Sequence, residues 1–127
     1  MTLTGHATVL LVADVGRSTA YYRDVLGFET SRWEVNPEHY GYASRDGCHF
    51  HFARFDGAQA RPNHAEAPPD MFDVYLWVDD VEALHDELAG RGAAFLHGPV
   101  DQAYGFRELR VQDPDGYILA FGEPLSG

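Results

Sequence analysis

The stretch FDVYLWVDDVEALHDELAGRG, residues 72–92, predicts a short β-strand that runs directly into a helix. Successive side chains of a strand point to opposite faces of the sheet, so residues two apart share a face. One face of this strand is apolar and consists of Val74, Leu76 and Val78. The other face is acidic and aromatic and consists of Asp73, Tyr75 and Trp77. The two faces are therefore expected to have different neighbours.

The second part of the same stretch has the pattern of an amphipathic helix. Asp80 can accept hydrogen bonds from the free amides of the first turn. Val81, Leu84 and Leu88 recur at helical spacing on one side, and Gly92 is placed to end the helix. A helix of this kind must cover an apolar sheet face, which the preceding strand supplies. We therefore expect functional residues on the acidic and aromatic face.

The same order of elements occurs twice, and an internal repeat of this kind indicates the fold. Nearer the N-terminus the sequence predicts a strand at 7–12, a helix at 14–26, and strands at 28–35, 40–44 and 49–52. After residue 92 it predicts strands at 94–97, 107–112 and 117–121, with a loop around residues 98–99. The predicted fold is α+β, with two βαβββ modules that form curved mixed sheets around a cleft.

The two modules are expected at residues 1–56 and 71–127 of a single domain. Residues 57–70 between them contain three prolines and no periodic apolar pattern, which is typical of a linker. A chain of 127 residues is long enough to bury a core without disulfides, and Cys48 is its one cysteine. No basic leader and no long apolar run are present, so the sequence predicts a cytoplasmic protein.

The charge of the chain limits its partners. A formal net charge of -11 argues against binding to nucleic acid and to anionic membranes. It also favours a neutral or cationic ligand over an anionic one.

Three motifs resemble those of a known family: VADV at residues 12–15, YYRDVLGF at 21–28 and DPDGY at 113–117. On these motifs the chain resembles the vicinal oxygen chelate superfamily, which includes glyoxalase I, ring-cleaving dioxygenases, fosfomycin-modifying enzymes and bleomycin resistance proteins. The resemblance covers nearly the whole chain and implies the two-module fold. It also implies a homodimer in which the chains exchange modules.

The resemblance further implies four positions for the ligands of a divalent metal, one on the first and last strand of each module. These positions are occupied by Ala7, His51, Asp73 and Ala120. Alanine has no donor atom, so the departure resembles the metal-free branch of bleomycin resistance proteins, which bind and sequester a drug. The alternative is a divalent metal held by His51, Asp73 and a further donor such as His49.

Aromatic and histidine side chains are the other candidates for a binding site. His49 and His51 lie two apart on one predicted strand and so share a face. They can line a pocket, ligate a metal or stand in solvent without function. Arg107 can reach a ligand carbonyl or pair with Glu108 or another surface acid. The candidate ligand-binding residues are Trp33, Tyr40, Tyr42, His49, His51, Asp73, Tyr75, Trp77, Tyr104, Phe106 and Arg107.

These features predict a protein without catalytic residues or cofactor that binds and sequesters an aromatic small molecule. A natural-product antibiotic fits this description, and the function would then be drug resistance or self-resistance. The alternative is a metal-dependent enzyme of the glyoxalase or dioxygenase type that uses His51 and Asp73. A third hypothesis is an accessory protein whose cleft serves a carrier or biosynthetic partner.

Overall fold

The computed structural model describes residues 1–57, 61–66 and 71–125. The chain divides into two compact units, Met1–Ala60 and Arg61–Gly127. The first unit consists of β1 (Thr8–Val12), α1 (Val15–Asp24), β2 (Glu29–Arg32), β3 (Tyr40–Arg45) and β4 (Cys48–Arg54). The second consists of a short 3-10 helix (Asn63–Ala65), β5 (Val74–Trp77), α2 (Val81–Gly90), β6 (Phe95–Asp101), β7 (Phe106–Gln112) and β8 (Ile118–Pro124).

Each unit contains one mixed four-stranded sheet, and the two sheets have the same topology. The strand order is β1-β4-β3-β2 in the first unit and β5-β8-β7-β6 in the second. The first strand of each unit pairs in parallel with the last strand, and the other pairs are antiparallel. The prediction of two βαβββ modules is therefore confirmed. The module-swapped homodimer stays a prediction.

Each helix covers one face of the sheet in its own unit. In the first unit Tyr22 of α1 is buried between Phe50 and Phe52, with ring centroids 5.1 and 4.8 Å away. The second unit has the same arrangement, because α2 lies against β6, β7 and β8. Its buried side chains are Val81, Leu84 and Leu88 of the helix and Leu76, Leu109, Val111, Leu119 and Phe121 of the sheet. The opposite face of each sheet carries most of the candidate site residues.

Both helices begin as the sequence predicts. The Asp14 carboxylate accepts a hydrogen bond from the Arg17 amide at 3.0 Å, and the Asp80 carboxylate accepts one from the Ala83 amide at 3.0 Å. Each bond satisfies an amide that has no partner within the helix. No helix in the described residues is long and apolar enough to cross a membrane.

Two predicted strand boundaries are wrong. The second strand ends at Arg32 and does not reach residue 35. The loop predicted around Gly98 and Pro99 lies within β6, which extends to Asp101. The pairing register of β6 with β7 shifts on both sides of His97, and such an irregularity at a sheet edge accommodates glycine and proline without ending the strand.

Part of the predicted linker is attached to the second unit. The Asn63 amide donates a hydrogen bond to Asp73 Oδ1 at 2.7 Å, and a ring nitrogen of His64 lies 3.0 Å from the Gly116 carbonyl oxygen. The prediction for residues 58–60 and 67–70 falls outside the described residues.

Candidate functional site

Five aromatic side chains cluster on the second unit's sheet, on the face opposite α2. Tyr75 is at the centre, with ring centroids 5.2 Å from Phe72, 6.0 Å from Trp77 and 5.8 Å from Phe106. Tyr104 extends the cluster, 6.4 Å from Phe106. We call these five residues the aromatic face. Trp77 is 73% exposed, so the cluster presents a large apolar surface to its surroundings.

The strand in the middle of this face carries very small side chains. Ala120 of β8 pairs with Tyr75 on one side and with Arg110 on the other. Gly122 likewise lies between Trp77 and Glu108. Directly paired residues share a face of the sheet, so aromatic rings on β5 and charged groups on β7 flank a strip without bulky side chains.

The ring of Tyr75 occupies the space above Gly122. A Cβ atom at residue 122 would lie 1.9 Å from the Tyr75 hydroxyl oxygen and 2.6 Å from its Cζ atom. Real contacts of this kind are never so short, so the position of the Tyr75 ring requires glycine at residue 122.

A buried ion pair lies beside the aromatic face. Glu108 is fully buried, and its Oε1 atom accepts hydrogen bonds from the Tyr104 hydroxyl and from Arg110 Nη2, the latter at 2.8 Å. The Arg110 guanidinium also lies over the ring of Phe72, 5.2 Å from its centroid. The charges thus fix two of the five aromatic rings relative to the sheet.

Burial would raise the pKa of Glu108, but the neighbouring donors Tyr104, Arg110 and Tyr75 outweigh burial and lower it. Burial, followed by the nearby Glu108 carboxylate, raises the pKa of Tyr75 well above its usual range. At neutral pH Glu108 is therefore ionised and Tyr75 keeps its proton.

Sequence reasoning identified Tyr75, Trp77, Tyr104 and Phe106, and the structure brings these four together. It missed Phe72, Glu108 and Arg110. The signal was present in the alternation of β7, because Phe106, Glu108 and Arg110 lie at every second position.

Arg107 lies on the other face of β7. Its Nε atom is 2.7 Å from an Asp101 carboxylate oxygen, and Nη1 is 3.9 Å from a Glu82 oxygen on α2. Arg107 is therefore not on the same face as Phe106, since neighbouring residues of a strand point to opposite faces, and its contact with a ligand stays a prediction. Of the two alternatives, pairing with a surface acid is the observed one, and the acid is Asp101.

Asp73 was predicted to share the aromatic and acidic face, but its carboxylate has another role. Oδ1 accepts a hydrogen bond from the Asn63 amide at 2.7 Å, and Oδ2 accepts one from the Ile118 amide at 2.9 Å. The side chain connects the segment before β5 to β8. Asp73 therefore has a structural role, and its role in ligand binding stays a prediction.

The sheet of the first unit has a polar face that includes both predicted histidines. Tyr42 pairs with His51 across the strands, and the Tyr40 hydroxyl lies 2.9 Å from His51 Nδ1. An open concavity of about 340 Å³ lies on this side of the first unit. Its lining includes Glu29, Ser31, Tyr42, Ser44, His49 and His51. Trp33 lies just after β2, where its amide donates to the Tyr40 carbonyl at 3.0 Å and its side chain is 42% exposed.

The residues present do not fit the divalent metal that the fold family implies. In the second unit Ala120 has no donor atom, and both oxygens of Asp73 accept backbone hydrogen bonds. In the first unit the Nδ1 atom of His51 is hydrogen-bonded to the Tyr40 hydroxyl. Within either unit, no group of three His, Cys, Asp or Glu side chains in the described residues is arranged to hold a metal ion.

Comparison with known proteins gives relatives along the whole chain. The chain is 28% identical to the lactoylglutathione lyase of Haemophilus influenzae over 127 residues, which cover 94% of this chain and 91% of that protein. The bleomycin-binding protein of Streptomyces verticillus, solved with copper(II)-bleomycin, has a similar structure with a TM-score of 0.71 and 24% identity. That alignment covers 100% of this chain and 98% of the other.

A glyoxalase-related enzyme from Clostridium phytofermentans aligns with a TM-score of 0.73 and 17% identity over 98% of both chains. Similarity of structure at such identities shows the fold alone. The sequence model of one family matches residues 4–121, which is nearly the full length. The chain belongs to the Glyoxalase/Bleomycin resistance protein/Dioxygenase superfamily.

Proposed function

We propose that this protein binds a flat aromatic small molecule on the aromatic face and does not transform it. The observation that supports this most strongly is Trp77, which is 73% exposed beside the ring of Tyr75. Removal of a large aromatic side chain from water lowers the free energy of the system. Clustered exposed apolar groups are typical of interaction sites.

The size of the ligand follows from the energy that binding requires. An aromatic pair contributes about 0.5–1.5 kcal/mol beyond the burial of area, whereas micromolar affinity corresponds to about 8 kcal/mol. At about 25 cal/mol per Å², roughly 300 Å² of apolar surface must be buried even before the entropy cost of association. A polycyclic ligand fits this requirement better than a small polar one.

The chemistry of the chain favours a neutral or cationic ligand, because the net charge is -11. A relative of the same fold, from Streptomyces verticillus, is a bleomycin-binding protein. We propose by extension that the ligand is a natural-product antibiotic and that binding sequesters it, which would give resistance. We also propose that no metal takes part, because Ala120 and the bonded carboxylate of Asp73 leave the second unit without metal ligands.

The test is the affinity of the Trp77→Ala variant for two probes, neutral 2-methoxynaphthalene and cationic 9-aminoacridine. Isothermal titration calorimetry measures both without relying on tryptophan fluorescence. We expect the variant to lose about tenfold or more in affinity, the equivalent of about 1.4 kcal/mol. The control is Val35→Ala, because Val35 is 79% exposed but lies outside the aromatic face. Equal affinities of the Trp77→Ala variant and the wild type would contradict the proposal.

A metal-dependent enzyme is the second candidate, favoured by the 28% identity to a lactoylglutathione lyase and by the pair His49 and His51 in the first unit's concavity. This hypothesis requires that a His51→Ala variant lose both bound metal and turnover. Retention of either property would exclude it.

We also propose that the functional form is a homodimer. The family resemblance supports this, as do the exposed apolar side chains of Val9 and Leu11 on β1, which lies at a sheet edge. Light scattering coupled to size-exclusion chromatography should give twice the mass of the 14.2 kDa chain. A monomer mass across the concentration range would refute the proposal.

A further inference from the structure

We propose that Glu108 selects ligands that carry an N–H or O–H donor on their aromatic system, and that its Oε2 atom accepts the hydrogen bond from that donor. The inference rests on the proposed function, since it concerns the ligand of the aromatic face. It adds a requirement that aromatic stacking alone does not impose.

The carboxylate of Glu108 has one oxygen without a partner. Both observed hydrogen bonds, from the Tyr104 hydroxyl and from Arg110 Nη2, go to Oε1. Oε2 is buried and has no hydrogen-bond partner among the residues that the structure describes. A buried acceptor in this condition costs about 1–3 kcal/mol, and more when it is charged. Native proteins seldom keep such a group without a reason, and a ligand donor would relieve the cost.

The position of Glu108 fits a ligand that stacks on Trp77. Both residues pair with Gly122, one from each side, so they are two strand spacings apart on the same face. Two spacings are about 9.6 Å, which a bicyclic aromatic ring and its substituent can span. The Tyr75 ring occupies the space above Gly122 between them, so the ligand must reach Oε2 from the side of Tyr104.

Two neighbouring donors on the face are candidates for the missing bond. The Tyr75 hydroxyl lies near Glu108, but it is also buried without a hydrogen-bond partner in the described part of the chain. A ligand donor would therefore compete with the Tyr75 hydroxyl for Oε2. Arg110 already donates to the other oxygen of the carboxylate.

A ligand can approach this carboxylate on the side of Tyr104. The Tyr104 side chain is 54% exposed and precedes Gly105, whose amide closes a turn by donating to the Gln102 carbonyl at 3.1 Å. A partly exposed ring on a turn can move at smaller cost than a core side chain. Its displacement would open the carboxylate to the ligand.

The experiment uses two probes with the same ring system, 2-naphthol with a donor and 2-methoxynaphthalene without one. Calorimetric titrations compare the wild type with Glu108→Gln, and Glu87→Gln on the exposed side of α2 serves as the matched control. We expect wild type and control to prefer 2-naphthol by about tenfold or more, as for a hydrogen bond to a charged group. The Glu108→Gln variant should reduce the preference to within about threefold.

The outcomes separate the two proposals. Binding of both probes with the same preference in wild type and Glu108→Gln would overturn the selection by Glu108 and leave aromatic binding intact. If neither probe binds to the wild type, both proposals are overturned. If Glu108→Gln does not fold, as judged by circular dichroism, the wild-type preference decides, and a value within about threefold overturns the inference.

Discussion

At the scale of single residues, Gly122 has the most specific steric role on the aromatic face. In a Gly122→Ala variant the new Cβ would lie 1.9 Å from the Tyr75 hydroxyl, so the ring must move away from its neighbours. We expect a loss of about 1–3 kcal/mol in the free energy of unfolding, as for other overpacked sites, together with weaker binding of aromatic probes.

Urea denaturation measures the stability of this variant, and Gly90→Ala is its control. An added Cβ at Gly90, in α2, meets nothing within 4 Å. Alanine there should stabilise the helix by about 0.5–1 kcal/mol. A Gly122→Ala protein with wild-type stability and wild-type affinity would refute the assigned position of Tyr75.

The lowered pKa of Glu108 also predicts how the stability of the fold depends on pH. Its pKa is lower in the folded protein than in the unfolded chain, so it stabilises the fold above the unfolded value of about 4.3. That stabilisation is lost as the pH falls through the folded pKa. Between about pH 5 and 3, the Glu108→Gln variant should therefore lose less stability than the wild type. Parallel stability curves for the two proteins would contradict this assignment.

Single residues also show what could not be predicted from the sequence. The aromatic members Tyr75, Trp77, Tyr104 and Phe106 follow from strand alternation and from their position next to strands. The role of Asp73 does not, because its hydrogen-bond partners at Asn63 and Ile118 are set by the path of distant segments. Side-chain partners across a sheet depend on register, which the sequence leaves open.

At the scale of elements, α2 depends on a cap at its first turn. The Asp80 carboxylate accepts from the Ala83 amide, and the Glu123 carboxylate of β8 accepts from the Val81 amide at 2.8 Å. An Asp80→Ala variant should lose about 1 kcal/mol in the free energy of unfolding, since a capping bond is removed. Asp79→Ala is the control, and equal losses from both substitutions in thermal unfolding would contradict the capping role.

Helices and strands were easier to predict from the sequence than side-chain partners. Helix starts at Asp14 and Asp80 were correct because capping is a local property of the sequence. The strand through Gly98 and Pro99 was not predicted, because pairing with β7 carries the backbone past two residues that disfavour strands in isolation. Tertiary pairing overrides local preference at such an edge.

At the scale of the whole molecule, the repeat of elements was sufficient to predict both modules, and three short motifs were sufficient to predict their family. The same repeat says little about activity, because one fold carries many chemistries. Here the distinction between a metal-dependent enzyme and a metal-free binding protein depends on a few side chains. Alanine occupies residues 7 and 120, where the family resemblance implies metal ligands, and aromatic residues occupy the sheet face beside the second of these positions.

Metal content is the measurement that separates the two candidate functions most directly. The purified, untagged protein is incubated with zinc, iron, manganese and nickel, dialysed exhaustively and analysed for each element. A metal-free binding protein should retain essentially no metal and still bind aromatic probes through Trp77. About one tightly held metal ion per chain would contradict this account and favour the metal-dependent enzyme.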